Sequence, residues 1–171
     1  MERRIFERLR QQLTIYEGVR SHPYLCSAGR LTVGVGRNLE DNGISQSEAE
    51  YLLDNDIQRC WDQVIEVLPW SRSVPLVIQE VLVHMCFNLG IEGLLGFKKT
   101  LAAMQAGEWG QAAHEMRASR WARQVGTRAE NLAAAVEALR VSSSEQLEKI
   151  QLIRAQLDAL EKVVENLCIE S

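Results

Sequence analysis

Long apolar runs, paired cysteines and any surplus of positive charge are missing from this 171-residue sequence. No uninterrupted apolar stretch reaches the roughly 18 residues that a membrane-spanning helix needs. Residues 1–10 mix Arg3, Arg4, Arg8 and Arg10 with Glu2 and Glu7 where a secretion signal would carry an apolar centre. The expectation is therefore a protein with no membrane span, not exported by a signal of its own. Cys26, Cys60, Cys86 and Cys168 form no CxxC pair and have no histidine cluster at ligand spacing. That argues against a zinc site and a disulfide framework, and for synthesis in a reducing cytosol. No metal and no cofactor is expected. A formal net charge of −4 argues against a nucleic-acid binder. The charge is uneven, with 16 Lys and Arg against 17 Asp and Glu in residues 1–140 but 3 against 6 in residues 141–171.

What is present suffices for a core. At 46% hydrophobic residues, a chain of this length can bury one core, or one core divided between two small lobes joined by a helix. Ile5, Leu9 and Leu13 make one stripe of a short amphipathic helix that ends at Glu17-Gly18. Over residues 22–39, Leu31, Val33 and Val35 alternate with Thr32, Gly34 and Gly36, which predicts a small hairpin turning at Ser27-Ala28-Gly29. Ser45 and Glu48 form a capping box that starts a helix, and Leu68-Pro69 stops it after about Val67.

Beyond that point the spacing predicts helices over 75–89, 94–106, 109–118 and 128–140, jointed at Gly90, Gly93, Gly96, Gly107 and Gly126. After Ser142-Ser143-Ser144, a run of Ile150, Ile153, Leu157, Leu160, Val164 and Leu167 alternates spacings of three and four, as in a coiled-coil seam. The fold class expected is α+β, predominantly α. It comprises a domain over 1–140 and a helical extension over 141–171. The extension must bury its stripe either in a homo-oligomer through residues 145–168 or on its own domain, and the strict seam favours the oligomer.

Glycosidic cleavage needs a proton donor at the leaving oxygen and a second group that handles water or the developing charge. Glu17 leaves the first helix, Cys26 enters the hairpin and Thr32 sits on its second strand, so the chain doubles back between all three. Taken alone, they read equally as a solvated helix-end carboxylate, a half-buried small hydrophobe and an ordinary strand threonine.

Their pattern narrows the choice. Tyr16-Glu17-Gly18-Val19-Arg20, Tyr24, Cys26, Gly29 and residues 31–36 resemble the active-site segment of the phage lysozymes of glycoside hydrolase family 24. The family spacing is Glu, eight residues, Asp or Cys, five residues, Thr, and both gaps fit. Phe87-Asn88-Leu89-Gly90 with Gly96-Phe97, and Ser119-Arg120-Trp121 with Thr127-Arg128-Ala129, are similar to two later blocks of the family in the same order.

The resemblance implies a two-lobed lysozyme-like fold with substrate between the lobes. It implies hydrolysis of the β-1,4 bond between N-acetylmuramic acid and N-acetylglucosamine in bacterial peptidoglycan. Glu17 would be the general acid, Thr32 the residue that positions water, and Cys26 the base or nucleophile once ionised. Arg128 would pair with the acid, and Phe87 and Asn88 would bind the saccharide. The setting it implies is an endolysin or wall-penetrating component, made in the host cytoplasm and acting on the wall, in the periplasm, after release. Two positions depart from the commoner pattern. Cys26 stands where many relatives carry Asp, and Arg37 stands where histidine follows the Gly-x-Gly; the second is structural in character.

Two other classes compete. One is a catalytically silent glycan-binding or virion structural module that assembles through the C-terminal helix. The other is a cysteine hydrolase using Cys26 with His22 or His84. Arg117, Arg120, Arg123 and Arg128 lie within twelve residues free of acids, which reads either as a strip attracting the anionic wall or as a solvated helix face. Trp109 and Trp121 are expected to pack the larger lobe, and Cys60 and Cys86 to be core.

Overall fold

The computed structural model describes residues 2–140 together with Glu148, Gln151 and Arg154. The seam at 150–167, and with it the oligomer expected through 145–168, lies outside the described residues. The chain divides into two compact units, Met1–Asn55 and Asp56–Ser171.

The first unit opens with α1 (Glu2–Glu17), whose Ile5, Leu9 and Leu13 are all exposed. At Gly18 the backbone turns to a positive φ of 70°, closed by its N–H on the Thr14 carbonyl at 3.0 Å. Three antiparallel strands follow in the order β1 (Arg20–Leu25), β2 (Leu31–Gly34) and β3 (Arg37–Asn38). Tyr24 pairs with Thr32 and Leu25 with Leu31, while the ladder is irregular between Arg20 and Tyr24, where Pro23 has no N–H to give. The hairpin expected from the sequence is thus correct in its turn but one strand short. Arg37 and Asn38 fold back on Val33 and Thr32 to add the third.

Asn38 then caps α2 (Leu39–Asn42), its side-chain oxygen accepting the Glu40 and Asp41 amides at 3.0 and 3.2 Å. The capping box forms as expected. The Ser45 amide donates to Glu48 Oε2 at 2.7 Å, the Glu48 amide donates to Ser45 Oγ at 3.3 Å, and α3 (Gln46–Val67) begins there. The division between the units falls inside α3.

The second unit is helical. A 3-10 turn (Pro69–Ser73) leads to α4 (Leu76–Leu95), α5 (Lys98–Ala106), α6 (Trp109–Ala118), α7 (Arg120–Val125) and α8 (127–140). Val64, Ile78, Leu82, Met85, Leu94, Met104, Met116 and Val136 are wholly buried in its core. Trp121 is buried with them, its ring edge-on to Phe97 at 5.9 Å.

Two expectations are corrected. Residues 75–89 and the start of the next predicted helix form one element, kinked at Gly90 (φ 71°, ψ 168°). The six-residue α7 was not foreseen, although Ser119 caps it through the Ala122 amide at 3.0 Å and Gly126 ends it. By length and composition α4 is also apolar enough to cross a membrane, which the run-by-run reading had excluded. Glu80, His84 and Asn88 interrupt its apolar run. In this unit its Ile78, Leu82, Met85 and Leu94 belong to the core.

Candidate active site

Glu17 is the last residue of α1. The turn at Gly18 returns the chain so that Arg20 pairs with Gly34, which brings the helix end beside β2. The carboxylate comes to rest on the turn that follows β2. A Cβ on Gly36 would lie 3.3 Å from Glu17 Oε2 and 3.6 Å from its Cδ, and Gly36 itself has a φ of 74°. Position 36 therefore favours glycine for its backbone, and a Cβ there would move the carboxylate by a few tenths of an ångström. Glu17 is otherwise open to solvent.

Cys26 begins the tight turn between β1 and β2. Its N–H donates to the Arg30 carbonyl at 3.0 Å, and its own carbonyl accepts from Gly29 at 2.9 Å. The Arg30 and Ala28 amides point at the sulfur and hold the thiol below its ordinary pKa. Partial desolvation opposes them, and the Thr32 hydroxyl assists. A short acceptor at the head of a turn collecting such amides is the arrangement that aspartate also favours, which explains why either residue type suits this position.

Thr32 is 3% exposed, and its hydroxyl donates to the same Arg30 carbonyl at 2.9 Å. That hydroxyl has one proton and two acceptors in reach, the carbonyl and the thiolate. Cys26 and Thr32 thus share the Arg30 carbonyl, and Glu17 lies on the glycine turn of the same three-stranded sheet.

Two residues that the sequence did not single out organise this turn. Glu40 Oε1 accepts the Leu31 amide at 3.1 Å, and Glu40 Oε2 pairs with the Arg30 guanidinium at 3.0 Å. Both ties hold the Glu40 carboxyl below its usual range, Arg30 contributing most. Arg37, by contrast, plays the structural part expected of it. Its Nε donates to the Gly43 carbonyl at 2.7 Å and its Nη1 to Glu48 Oε1 at 2.6 Å, binding β3 to the start of α3.

The remaining expected residues belong to the second unit. Phe87 and Asn88 are both exposed on α4, and Asn88 Oδ1 accepts the Trp121 indole N–H at 2.7 Å, which leaves the amide nitrogen to donate outward. Arg128 is exposed in the first turn of α8. The basic strip is shorter than it looked, because Arg117 donates to both Glu130 oxygens at 2.8–3.0 Å and to Glu137 Oε2 at 2.8 Å.

Cys60 and Cys86 are free buried thiols. Burial, with Cys60 beside it, pushes Cys86 to about 11. No histidine is among the groups acting on Cys26, and His22 shares its hydrogen bond with Ser21 Oγ at 3.2 Å. A cysteine-hydrolase dyad of Cys26 with His22 is not formed among the described residues. No cluster of three or more metal-ligating side chains occurs among them either.

Residues 14–138 match the family model described as phage lysozyme. The probable T4-type lysozyme 1 of Dictyostelium discoideum is 26% identical over 98 residues, covering 55% of this chain and 57% of that protein. The pre-baseplate central spike protein Gp5 of Enterobacteria phage T4 is 34% identical over 104 residues, covering 58% of this chain and 18% of that one. The chain therefore spans a little over half of the first relative and less than a fifth of the second. The model match takes in well over half of the sequence, including every residue of the Glu17, Cys26 and Thr32 constellation, and the chain belongs to the phage lysozyme family.

Proposed function

We propose that the protein is a muramidase that hydrolyses the β-1,4 bond between N-acetylmuramic acid and N-acetylglucosamine in bacterial peptidoglycan. The observation that carries this reading is the single Arg30 carbonyl that ties Cys26 to Thr32, on the sheet whose glycine turn holds the Glu17 carboxylate. Glu17 gives its proton to the glycosidic oxygen as the bond from that oxygen to C1 breaks. A water molecule held by the Thr32 hydroxyl adds to C1, and its proton passes to the Cys26 thiolate. Attack on C1 by the thiolate itself, followed by water, is the retaining alternative, and the anomer released distinguishes the two.

Acid and thiolate must coexist in one molecule. Every amide aimed at the Cys26 sulfur enlarges that population, because it favours ionisation without removing the acid's proton. Phe87, Asn88 and Arg128, all exposed in the second unit, are assigned to substrate binding. The working site is the cell wall, reached after release from the host cytoplasm, and residues 145–168 join copies of the chain.

A silent virion module is the second reading, favoured by the likeness to a stretch of a baseplate spike protein. Release of reducing sugar from purified peptidoglycan, with Glu17→Gln as control, tests the proposal. Wild-type release that the substitution abolishes supports the muramidase. No release by the wild type would leave the module, and release that survives the substitution would overturn the role of Glu17.

A further inference from the structure

The turn that carries Cys26 and Thr32 is short of apolar support. Thr32 is the one buried residue among the described residues of the first unit, and Cys26 is half-buried at the head of the turn. Both hang on a single acceptor, the Arg30 carbonyl, which takes the Cys26 N–H at 3.0 Å and the Thr32 hydroxyl at 2.9 Å. The orientation of that carbonyl fixes where the thiol and the hydroxyl sit relative to each other. That peptide lies at the exposed start of β2, so a tie on its other side bears directly on its orientation.

We propose that Glu40 is that grip, a positioning residue whose carboxylate fixes the Arg30–Leu31 peptide and with it the Cys26–Thr32 pair. Peptide 30–31 contains the Arg30 carbonyl on one side and the Leu31 N–H on the other. Glu40 Oε1 accepts that N–H at 3.1 Å, and Glu40 Oε2 takes the Arg30 guanidinium at 3.0 Å. One carboxylate thus holds the donor end of the very peptide whose acceptor end serves the site.

Glu40 is itself fixed. It lies in the first turn of α2, where Asn38 caps its amide at 3.0 Å, and Asn38 pairs with Thr32 across the sheet. The loop closes from Thr32 through Asn38 and Glu40 to the Arg30–Leu31 peptide and back to Thr32. Asp41 Oδ1, 3.8 Å from the same guanidinium, adds a weaker second anchor.

The grip also decides how the hydroxyl is used. With the Arg30 carbonyl held in place, the Thr32 proton points at it, and the oxygen lone pairs are left to accept from water. When the peptide is released, the Thr32 hydroxyl loses its fixed acceptor and turns. Position is lost first, and substrate binding is untouched.

The role assigned to Glu40 in turnover rests on the muramidase reading, so its test carries a readout that does not. Glu40→Ala and Glu40→Gln are compared with the wild type in two ways. The first is reducing-sugar release from peptidoglycan, resolved into kcat and KM. The second is the pH profile of iodoacetamide labelling at Cys26, followed by mass spectrometry of the peptide that contains it. The groups that face this sulfur are the Arg30 and Ala28 amides and the Thr32 hydroxyl.

Glu40→Ala is expected to lower kcat by about ten- to a hundredfold with KM within about twofold, the mark of misplacement rather than lost binding. Its labelling midpoint moves away from the wild-type value. Glu40→Gln keeps an acceptor for the Leu31 amide but loses the charge on Arg30, and falls between the two. An unchanged kcat together with an unchanged labelling profile in Glu40→Ala would overturn the proposal. If that variant does not fold, a folded Glu40→Gln with wild-type labelling and kcat overturns it equally. A shifted labelling profile in a protein whose wild type releases no sugar upholds the grip and removes the muramidase.

Discussion

The two units of this protein are held together by different physics. Every buried apolar side chain among the described residues lies from Cys60 onward, in a core that takes in leucine, isoleucine, valine and three methionines. In the first unit the one buried residue is a threonine that belongs to the proposed site. What organises that unit is a set of directional ties: Asn38 on the α2 amides, Glu40 on Arg30 and Leu31, Arg37 on Gly43 and Glu48, and the Ser45–Glu48 box. Burial stabilises without fixing direction, whereas hydrogen bonds fix direction and add little net stability. A unit that must aim an acid, a thiol and a hydroxyl uses the second; a unit that must stay folded uses the first.

That contrast predicts that chemistry and stability are removed by different substitutions. Glu17→Gln is expected to lower peptidoglycan hydrolysis by about a hundred- to ten-thousandfold, the range of general acid catalysis, and to leave the thermal unfolding midpoint where it was. Leu82→Ala empties a wholly buried position in the second unit and is expected to cost about 2–5 kcal/mol in urea unfolding. All four tryptophans lie in that unit, so their fluorescence follows the transition directly. The activity per folded molecule should not change. A Glu17→Gln protein that unfolds as early as Leu82→Ala would erase the distinction.

The same contrast explains what could be read in the sequence. Local signals were legible because their partners are close along the chain: the Ser45–Glu48 box spans three residues, and the Ser27-Ala28-Gly29 turn is bounded by its own small residues. The spacing of Glu17, Cys26 and Thr32 was legible through resemblance, since the residue types alone were ordinary. Less could be foreseen where a contact joins distant residues. Glu40 stands nine residues from the amide it accepts and shows no motif, and Arg117 pairs with Glu130 and Glu137 on α8, thirteen and twenty residues away. Helix α7 was missed for a different reason: six residues are too few to display an apolar period, so only its caps, Ser119 and Gly126, could have marked it.

Smaller effects sharpen the comparison within the first unit. Ser45→Ala deletes the side-chain acceptor at the start of α3 while the apolar core stays intact, and is expected to cost about 1 kcal/mol, well below the Leu82 value. Amide hydrogen exchange around residues 45–48 should show the loss, with tryptophan fluorescence at neutral pH nearly unmoved. A fall in stability as large as that of Leu82→Ala would mean that the cap supports far more than one helix end.

Acid should separate the units by the gentlest means. Glu40 and Glu48 both titrate below the ordinary carboxyl value when folded, Glu40 chiefly through Arg30 and Glu48 chiefly through the Ser45 amide. A carboxyl depressed in the folded state binds its proton more readily once unfolded. Its stabilisation is therefore complete above the unfolded value of about 4.3 and fades as pH falls through the lower folded values. Two of the ties that organise the first unit depend on these groups. Among the described residues of the second unit only Glu130 is lowered in this way, by Arg117, and the core beneath it does not titrate. As pH drops below about 4.3, the Leu31 and Ser45 amides should lose exchange protection, after correction for intrinsic rates, before the tryptophan signal moves. Coincident loss of both signals would mean that the second unit, too, depends on its carboxylates.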